Sequence, residues 1–278
     1  MRTDTQADHD RARALRERIR ANFDRGAGSY ERFEARSGHF RTLTRALLEM
    51  APLRPGARVL DVGCGTGAST LLLLEAAGSR GRVVGVDISL GMLKKAHARV
   101  PGAVFVQADA CRLDAVLRGP FDAVVYNAVL FMLPDARGSL AGAAALLGSE
   151  GVLLASHLEG VYRASDRSAV PELLASRGLP AGRHAVAGWD LALGCMRALF
   201  ERVATRRLEI RMDPDRFFGF YGVEPMSAGL LPRLPYAERL RAIETLAAEW
   251  ARTGDGAVQV WHLACARGLR PESKGNEG

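Results

Sequence analysis

Short β-branched runs alternate with helix-forming segments from residue 57 onwards. Strands that alternate with helices predict a parallel sheet covered by helices on both faces. We therefore predict an α/β fold, a Rossmann-like doubly wound sheet that is mostly parallel, with an antiparallel last strand and a helical cap. The predicted strands are 57–62, 82–87, 103–107, 121–127 and 151–157, and the helices between them are 66–78, 90–99, 111–118 and 135–147.

The segments outside this repeat predict additions to a single core, since 278 residues suffice for one large core with a modest cap. Leu15, Ile19 and Phe23 recur every four residues, which predicts an amphipathic helix in the leader. The predicted divisions are a helical leader or lid (1–55), the α/β core (56–160), a cap with one core strand at 205–212 (161–255), the last core strand (256–267) and a disordered tail (268–278).

Composition and sequence pattern argue against several classes of protein. Apolar runs such as 123–133 are shorter than the roughly 18 residues of a membrane span. The start has no apolar segment of a secretory signal, so we expect a cytoplasmic protein. The four cysteines are far apart and show no metal-ligand spacing, so no metal is predicted.

The excess of basic over acidic residues is spread over the whole chain. Net charge is +7, and 35 of the 38 basic residues are arginines scattered beside 31 acids. This pattern favours a solvated mixed surface over a nucleic-acid-binding stripe.

The glycine cluster in VLDVGCGTGAST (59–70) indicates a nucleotide site of one of two kinds. Gly63, Gly65 and Ala68 satisfy the dinucleotide fingerprint G-x-G-x-x-G/A. The same residues also form D-x-G-x-G-x-G, with Asp61 two residues ahead of the first glycine. A carboxylate there would repel a pyrophosphate and would favour a cationic cofactor. S-adenosylmethionine, with its sulfonium and ammonium, fits the acidic alternative.

Two further acids follow the next strands. Asp87 lies 20 residues beyond Gly67, where a carboxylate can accept from ribose hydroxyls in both kinds of site. Asp109 follows the third strand, where it can accept from an adenine amino group, and the dinucleotide fingerprint does not require such an acid. Either residue could instead be a helix N-cap. Together with Asp61, they favour S-adenosylmethionine.

Five motifs carry a family resemblance: VLDVGCGTG, VVGVDISLGML, QADA, FDAVVYNAVLFML and LLGSEGVLLAS. In order and spacing they resemble class I S-adenosylmethionine-dependent methyltransferases over residues 57–157. The resemblance implies S-adenosylmethionine as cofactor and S-adenosylhomocysteine as product. The implied cofactor-binding residues are Asp61 (ammonium), Gly63, Cys64, Gly65 and Gly67 (methionine portion), Asp87 (ribose), Ile88 and Met92 (adenine face), Asp109 and Ala110 (adenine edge), and Asn127 (methionine side).

The leader carries a narrower resemblance. FDRGAGSYERF (23–33) is similar to the leader of quinone-pathway C-methyltransferases and malonyl-carrier-protein O-methyltransferases. This implies that Tyr30 helps to close over the cofactor. An Asn-containing stretch of the quinone enzymes is replaced here by ERFEARSGHF, so the subfamily stays open.

Histidines and aromatic residues are the candidates for binding and deprotonating the methyl acceptor. Methyl transfer is an in-line displacement that requires a positioned nucleophile and a site shielded from water. His157, at the carboxyl end of the fifth strand, is the candidate base; alternatively it is a neutral residue that caps the strand or only binds substrate. His39 is the second candidate. Trp189, Phe217, Phe220 and Tyr221 enclose an apolar acceptor or simply pack a cap helix.

We therefore predict methyl transfer to an oxygen or carbon of a small, apolar or aromatic metabolite that is quinone-like, a polyketide or a carboxylic acid. One alternative is a nucleic-acid or protein methyltransferase, although residues 127–130 lack the N-P-P-Y type motif of amino methylation. The other is an S-adenosylmethionine-binding protein without methyl transfer. The oligomeric state is not predicted.

Overall fold

The computed structural model describes residues 2–182 and 187–270, with side chains from residue 10 onwards. Seven strands form one sheet in the order β3-β2-β1-β4-β5-β7-β6. The strands are β1 (Arg58–Val62), β2 (Arg82–Asp87), β3 (Val104–Gln107), β4 (Phe121–Asn127), β5 (Leu147–Arg163), β6 (Phe200–Met212) and β7 (Ala257–Leu269). The helices are α1 (Arg2–Ser37), α2 (His39–Met50), α3 (Ala68–Ala77), α4 (Leu90–Arg99), α5 (Leu113–Val116), α6 (Ala136–Leu146), α7 (Val170–Ala175), α8 (Trp189–Leu199), α9 (Pro214–Tyr221), α10 (Glu224–Leu230) and α11 (Tyr236–Thr253).

Strands β1 to β5 pair in parallel, and β7 is inserted antiparallel between β5 and β6. The predicted doubly wound, mostly parallel sheet with an antiparallel last strand is therefore confirmed. Several strands are longer than predicted: β5 reaches Arg163, β6 begins at Phe200, and β7 ends at Leu269 inside the predicted tail. Residues 271–278 of that tail lie outside the described residues.

The central parallel strands, such as β1 and β4, are buried on both faces, as their apolar sequences require, whereas the edge strand β3 is partly exposed. On one face they pack against Leu43 and Leu47 of α2. On the other they pack against Leu140 of α6 and Met196 of α8. Within the described ranges, no helix has both the length and the apolar character needed to cross a membrane.

The junction between α1 and α2 has its own N-cap. Gly38 adopts a left-handed conformation (φ 58°), which costs glycine little. The fully buried Glu34 carboxylate then accepts from the backbone N–H groups of Phe40 (2.9 Å) and Arg41 (3.2 Å). An acid on α1 thereby satisfies the free donors at the start of α2 and fixes the angle between the two helices.

Candidate active site

The chain reverses its direction of winding between β1 and β4, and open α/β sheets bind ligands beside such a switch point. A cavity of about 140 Å³ lies there, roofed by α1 and the cap helices. One end, called the polar end, is formed after β1, β2 and β3 by Gly63, Gly65, Asp87, Ile88, Asp109 and Ala110. The other, called the aromatic end, is lined by Phe40, Phe131, Leu158, Phe220, Met226 and Trp261.

The glycine loop is attached to β2, because the N–H groups of Gly63 (2.7 Å) and Cys64 (3.0 Å) both donate to the Val86 carbonyl. Gly63 has φ 67°, and a Cβ there would lie 2.4 Å from Val129 Cγ2. At Gly67 a Cβ would lie 3.1 Å from the Ala96 Cα. Gly63 is therefore required by the shape of the loop at the cavity, whereas Gly67 serves the packing of α3 on α4 and does not line the cavity.

Asp87 holds the loop in place from the end of β2. Its Oδ2 accepts from the Gly65 N–H (2.9 Å) and its Oδ1 from the Ser89 N–H (2.8 Å). Burial raises the pKa of this carboxyl to about 6, although both hydrogen bonds favour the ionised form. The carboxylate lines the cavity and retains free lone pairs for a ligand.

Asp61 is buried behind the loop and does not line the cavity. Its Oδ2 accepts from the Thr70 hydroxyl (2.6 Å), while its Oδ1 has no hydrogen-bond partner among the described residues. Burial, with the nearby Asp87 charge, raises the pKa of Asp61 to about 7. A buried carboxylate oxygen without a partner is destabilising on its own, and a cation close to the loop would offset this cost. The residues at the polar end therefore fit a cofactor that carries an ammonium group.

Asp109 is both an N-cap and a cavity residue. Its Oδ1 accepts from the Cys111 N–H (2.9 Å), as the N-cap alternative predicts. Its Oδ2 faces the Arg16 Nε of α1 at 3.4 Å. Ala110 also lines the cavity, and its carbonyl accepts from the Ser139 hydroxyl (2.7 Å). A capping role and a ligand-binding role are thus compatible at this position.

Tyr30 joins the two ends. Its ring stacks on Phe40 with centroids 5.0 Å apart and an interplanar angle of 11°. Its hydroxyl would lie 3.7 Å from a Cβ on Gly65. Burial and the neighbouring acids raise the pKa of the phenol well above its usual value, so Tyr30 stays protonated. Tyr30 therefore faces the glycine loop from α1, as a residue that closes over a cofactor must.

Asn127 lines the cavity at the end of β4, but its side-chain amide is hydrogen-bonded to other residues of the protein. The Asn127 Oδ1 accepts from the Ser156 hydroxyl (2.8 Å). The Nδ2 group lies within donating distance of the Phe40 carbonyl (2.9 Å), Thr44 Oγ1 (3.0 Å) and Ser69 Oγ (2.8 Å). Asn127 thereby ties α2 to the sheet beneath the cavity.

Two more predicted cofactor residues, in addition to Asp61 and Gly67, do not line the cavity. Met92 has no exposed surface, and its side chain belongs to the core beneath α4. Cys64 is buried behind the glycine loop, where its Sγ would lie 3.0 Å from a Cβ on Gly85. Both positions stabilise the loop and its neighbouring helix from below, and direct contact with adenine or methionine is not supported for them.

The aromatic residues predicted to enclose the acceptor lie in two different places. Phe220 lines the aromatic end of the cavity. Phe217 instead packs inside the cap, 4.8 Å from Trp250 between ring centroids. Tyr221 is also fully buried, and its hydroxyl accepts from the Gln259 side chain (3.1 Å). The helical spacing of these residues thus gives one pocket residue and two that pack the cap.

His157 lies beside the cavity rather than in it. Its Nε2 is 2.9 Å from the Ala187 carbonyl, and its ring packs at 5.7 Å from both Phe131 and Trp189. Burial lowers the pKa of the imidazole, which is therefore neutral. Trp189 stacks on His262 at 4.8 Å and does not line the cavity either. His157 lies inside β5, six residues before its end at Arg163, so its predicted place at the end of the strand is wrong. The geometry matches a neutral residue with a structural role, and its role as base stays a prediction.

His39 is fully buried behind the aromatic end, 4.9 Å from Phe220 between ring centroids. Its Nδ1 lies 3.4 Å from Arg216 Nη2. Burial, with Arg216 nearby, lowers the pKa of His39 to about 3. The neutral ring supports the wall of the cavity and does not reach its interior.

The sequence prediction missed much of the roof. Ile19 and Phe23 line the cavity, and the four-residue spacing in the leader contained the signal for both. Arg16 and the cap had no comparable pattern, because their contacts are made with distant segments. The other roof and wall residues that were missed include Phe40, Phe131, Leu158, Pro225, Met226, Gly229 and Trp261.

Known proteins are similar in sequence to the part of the chain that contains the glycine loop. A family model described as a methyltransferase domain matches residues 59–151. The trans-aconitate 2-methyltransferase of Methylobacterium nodulans is 39% identical over 121 residues, which are 44% of this chain and 46% of that protein. The aklanonic acid methyltransferase DauC of Streptomyces sp. is 31% identical over 142 residues, which are 50% of this chain and 64% of that protein. The chain thus spans about half to under two thirds of the length of these curated relatives.

Among solved structures, the Haemonchus contortus phosphoethanolamine N-methyltransferase 2 in complex with phosphomonomethylethanolamine and S-adenosylhomocysteine has the same fold. The TM-score is 0.56 at 17% sequence identity, over 90% of this chain and 60% of that one. The matched region, residues 59–151, contains the glycine loop and the acids of the polar end. Residues 59–151 are therefore similar to a methyltransferase domain, and the chain shares its fold with a solved methyltransferase.

Proposed function

We propose that this chain transfers the methyl group of S-adenosylmethionine to an oxygen or carbon of a small apolar or aromatic metabolite. The observation that carries the proposal is one continuous cavity whose polar end suits the cofactor and whose aromatic end suits such an acceptor.

At the polar end, each residue has a separate task. Asp87 accepts from the ribose hydroxyls, while Asp109 and the Ala110 backbone bind the adenine edge. Gly63 and Gly65 let the backbone approach the methionine portion, and Asp61 favours its ammonium group from behind the loop. The bound cofactor supplies a methyl group on a positively charged sulfur. Tyr30 covers the glycine loop and, as a protonated phenol, donates a hydrogen bond rather than accepting a proton.

At the aromatic end, the protein orients the acceptor and excludes water. An in-line displacement gains most of its rate from holding the nucleophile about 3 Å from the methyl carbon in a dry site. Rings such as Phe131, Phe220 and Trp261 provide the apolar surface for a flat acceptor. Their π faces also favour the neighbouring sulfonium.

Charge limits the class of acceptor. Of the described residues that line the cavity, Arg16, Asp87 and Asp109 carry charge, and all three lie at the polar end. The two relatives are named for acids, trans-aconitate and aklanonic acid. A compound with three carboxylates would be poorly matched to the uncharged aromatic end of this chain. An apolar body with a single phenol, enol or carboxyl group beside the sulfonium is matched well.

The proposal is tested with labelled S-adenosylmethionine and a panel of acceptors. The panel contains quinols, polycyclic phenols, aromatic polyketide acids and trans-aconitate. We expect label transfer to one of the flat apolar compounds and little to trans-aconitate. Cofactor binding without transfer to any of them would favour the non-methylating alternative, and transfer to RNA or protein would favour the other alternative. The cytoplasmic location and the lack of a nucleic-acid partner stay predictions.

A further inference from the structure

The middle of α1 covers the polar end of the cavity. Arg16, Ile19 and Phe23 of this helix line the cavity beside Ile88 and Asp109. The Arg16 Nε lies 3.4 Å from Asp109 Oδ2, while the other Asp109 oxygen accepts from the Cys111 N–H. Arg16 also lines a second, outer cleft that opens at this same edge, with Arg13, Arg20 and Gln107. Its guanidinium therefore stands at the boundary between the cavity and solvent.

Contacts further along α1 fix this position. The Asp24 Oδ1 accepts from the Ser89 hydroxyl (2.6 Å) and from the Gly91 N–H (2.8 Å) at the start of α4. The two helices approach so closely that a Cβ on Gly91 would lie 3.0 Å from the Asp24 carbonyl oxygen. About two turns later, Glu31 pairs with Lys95 of α4 at 2.9 Å. Arg16 is thus held above Asp109 by a helix anchored at two points.

The pair of Arg16 with Asp109 has little structural value by itself. The side chains are 31% and 23% exposed, and partly exposed ion pairs contribute about 0–1 kcal/mol to stability. The guanidinium nevertheless adds a planar cation to a pocket wall that is otherwise formed by apolar side chains and one carboxylate. A planar cation of this kind binds the face or edge of an aromatic heterocycle, and it can orient a neighbouring carboxylate.

We propose that Arg16 is a binding residue for the adenine ring of the cofactor. It orients the Asp109 carboxylate as an acceptor for the exocyclic amino group, and it closes the adenine pocket from the side of α1. This inference rests on the proposed function, since it assumes that the polar end binds S-adenosylmethionine. It adds a residue from the leader to the adenine-binding residues of the core.

The test measures binding and does not depend on an acceptor. S-adenosylhomocysteine is titrated calorimetrically into the full chain, into Arg16→Ala and Arg16→Lys, and into Arg18→Ala as a matched control. Arg18 lies on the same helix, is exposed and does not line the cavity. We expect about tenfold weaker binding for Arg16→Ala and a smaller loss for Arg16→Lys, which keeps the charge but not the plane. Arg18→Ala stays within about twofold of the unmodified chain, as is usual for an exposed substitution.

A second ligand separates adenine recognition from a general effect on the fold. In S-inosylhomocysteine a carbonyl oxygen replaces the amino group and faces the Asp109 carboxylate unfavourably. The unmodified chain should prefer the adenine compound, and Arg16→Ala should lose a large part of this preference. In the double variant Arg16→Ala with Asp109→Asn, the loss of binding free energy should be smaller than the sum of the losses in the two single variants, because the residues act as a unit.

The outcomes are distinct. Equal affinity of Arg16→Ala and the unmodified chain for S-adenosylhomocysteine, with an unchanged preference over the inosine compound, overturns the role of Arg16 and leaves the proposed function intact. No binding of S-adenosylhomocysteine to the unmodified chain overturns both. If Arg16→Ala does not fold, as shown by its thermal unfolding without ligand, the same comparison is made with Arg16→Lys.

Discussion

The two ends of the cavity use different interactions. At the polar end, backbone N–H groups and carboxylates meet at fixed distances, as in the two bonds of 2.9 and 2.8 Å to Asp87. At the aromatic end, rings pack against rings, with Phe131 and Trp261 centroids 6.1 Å apart and Phe33 and Phe220 centroids 5.4 Å apart. Hydrogen bonds to charged groups depend on single atoms and on protonation, whereas apolar contact depends on area.

The two ends also differ in their effect on the stability of the folded protein. Asp61 and Asp87 are buried acids whose raised pKa values mean that their ionised forms are held at a cost in stability. The aromatic end buries apolar surface and stabilises the protein at the same time. Cofactor recognition should therefore be strict and sensitive to pH, and acceptor recognition should be tolerant and sensitive to size.

The largest effect is expected for Asp87→Ala. The substitution removes the acceptor for the Gly65 and Ser89 N–H groups and the carboxylate that faces the cavity. Since loss of a buried charged hydrogen-bonding group costs about 3 kcal/mol, affinity for S-adenosylhomocysteine should fall about a hundredfold by calorimetry. The exposed Glu75→Ala is the control and should leave the affinity unchanged. An affinity for the Asp87 variant within threefold of the original would contradict the assignment of the polar end.

The next effect is a pH dependence confined to the polar end. The proposed cofactor site requires ionised acids, and burial raises the pKa of Asp61 to about 7 and that of Asp87 to about 6. Affinity for S-adenosylhomocysteine should therefore fall about tenfold between pH 8 and pH 6. Asp61→Asn should remove the upper part of this dependence, and a flat profile in the unmodified chain would refute the argument.

Stability without ligand should change with pH in the opposite direction. The folded pKa of Asp61 lies above the ordinary value of 3.8, so its contribution to stability is fully present below that value and is lost as pH rises towards 7. The two pH dependences therefore oppose each other in the same protein.

A smaller effect is expected at the aromatic end from Phe220→Leu. This change removes part of a ring that lines the cavity and leaves the wall apolar. The KM for a flat acceptor should rise about fivefold, corresponding to roughly 1 kcal/mol of lost contact, while the affinity for S-adenosylhomocysteine should not change. Steady-state kinetics and calorimetry on the same variant provide the two values. An equal loss in both would show that the two ends are not independent.

The smallest effect is expected for His157→Gln. The imidazole lies outside the cavity, where its Nε2 contacts the Ala187 carbonyl. We expect kcat/KM to change by less than about threefold, with the same pH profile, and a modest decrease in the melting temperature. Loss of an ionisation from the pH profile of kcat/KM would instead restore His157 as the base.

The accuracy of the sequence predictions differs between local and distant features. The glycine loop and the strand ends before Asp87 and Asp109 follow from local patterns of chain turns and β-branched runs, and the structure places all three around one cavity. The core strand within the cap was predicted at 205–212, but β6 begins five residues earlier, at Phe200. Phe200 pairs with Leu269 of β7, almost 70 residues away, and such a partner is invisible to local periodicity.

The sequence by itself determined the order of the parallel core and the identity of the acids around the glycine loop, because both arise from short-range patterns and fixed spacing. Only the tertiary structure decided which side chains reach the cavity. Asp61, Met92 and His157 do not line it, while Arg16, Met226 and Trp261 do. The direction of a side chain depends on how α1 and the cap pack against the sheet, and these contacts join segments that are far apart in the chain.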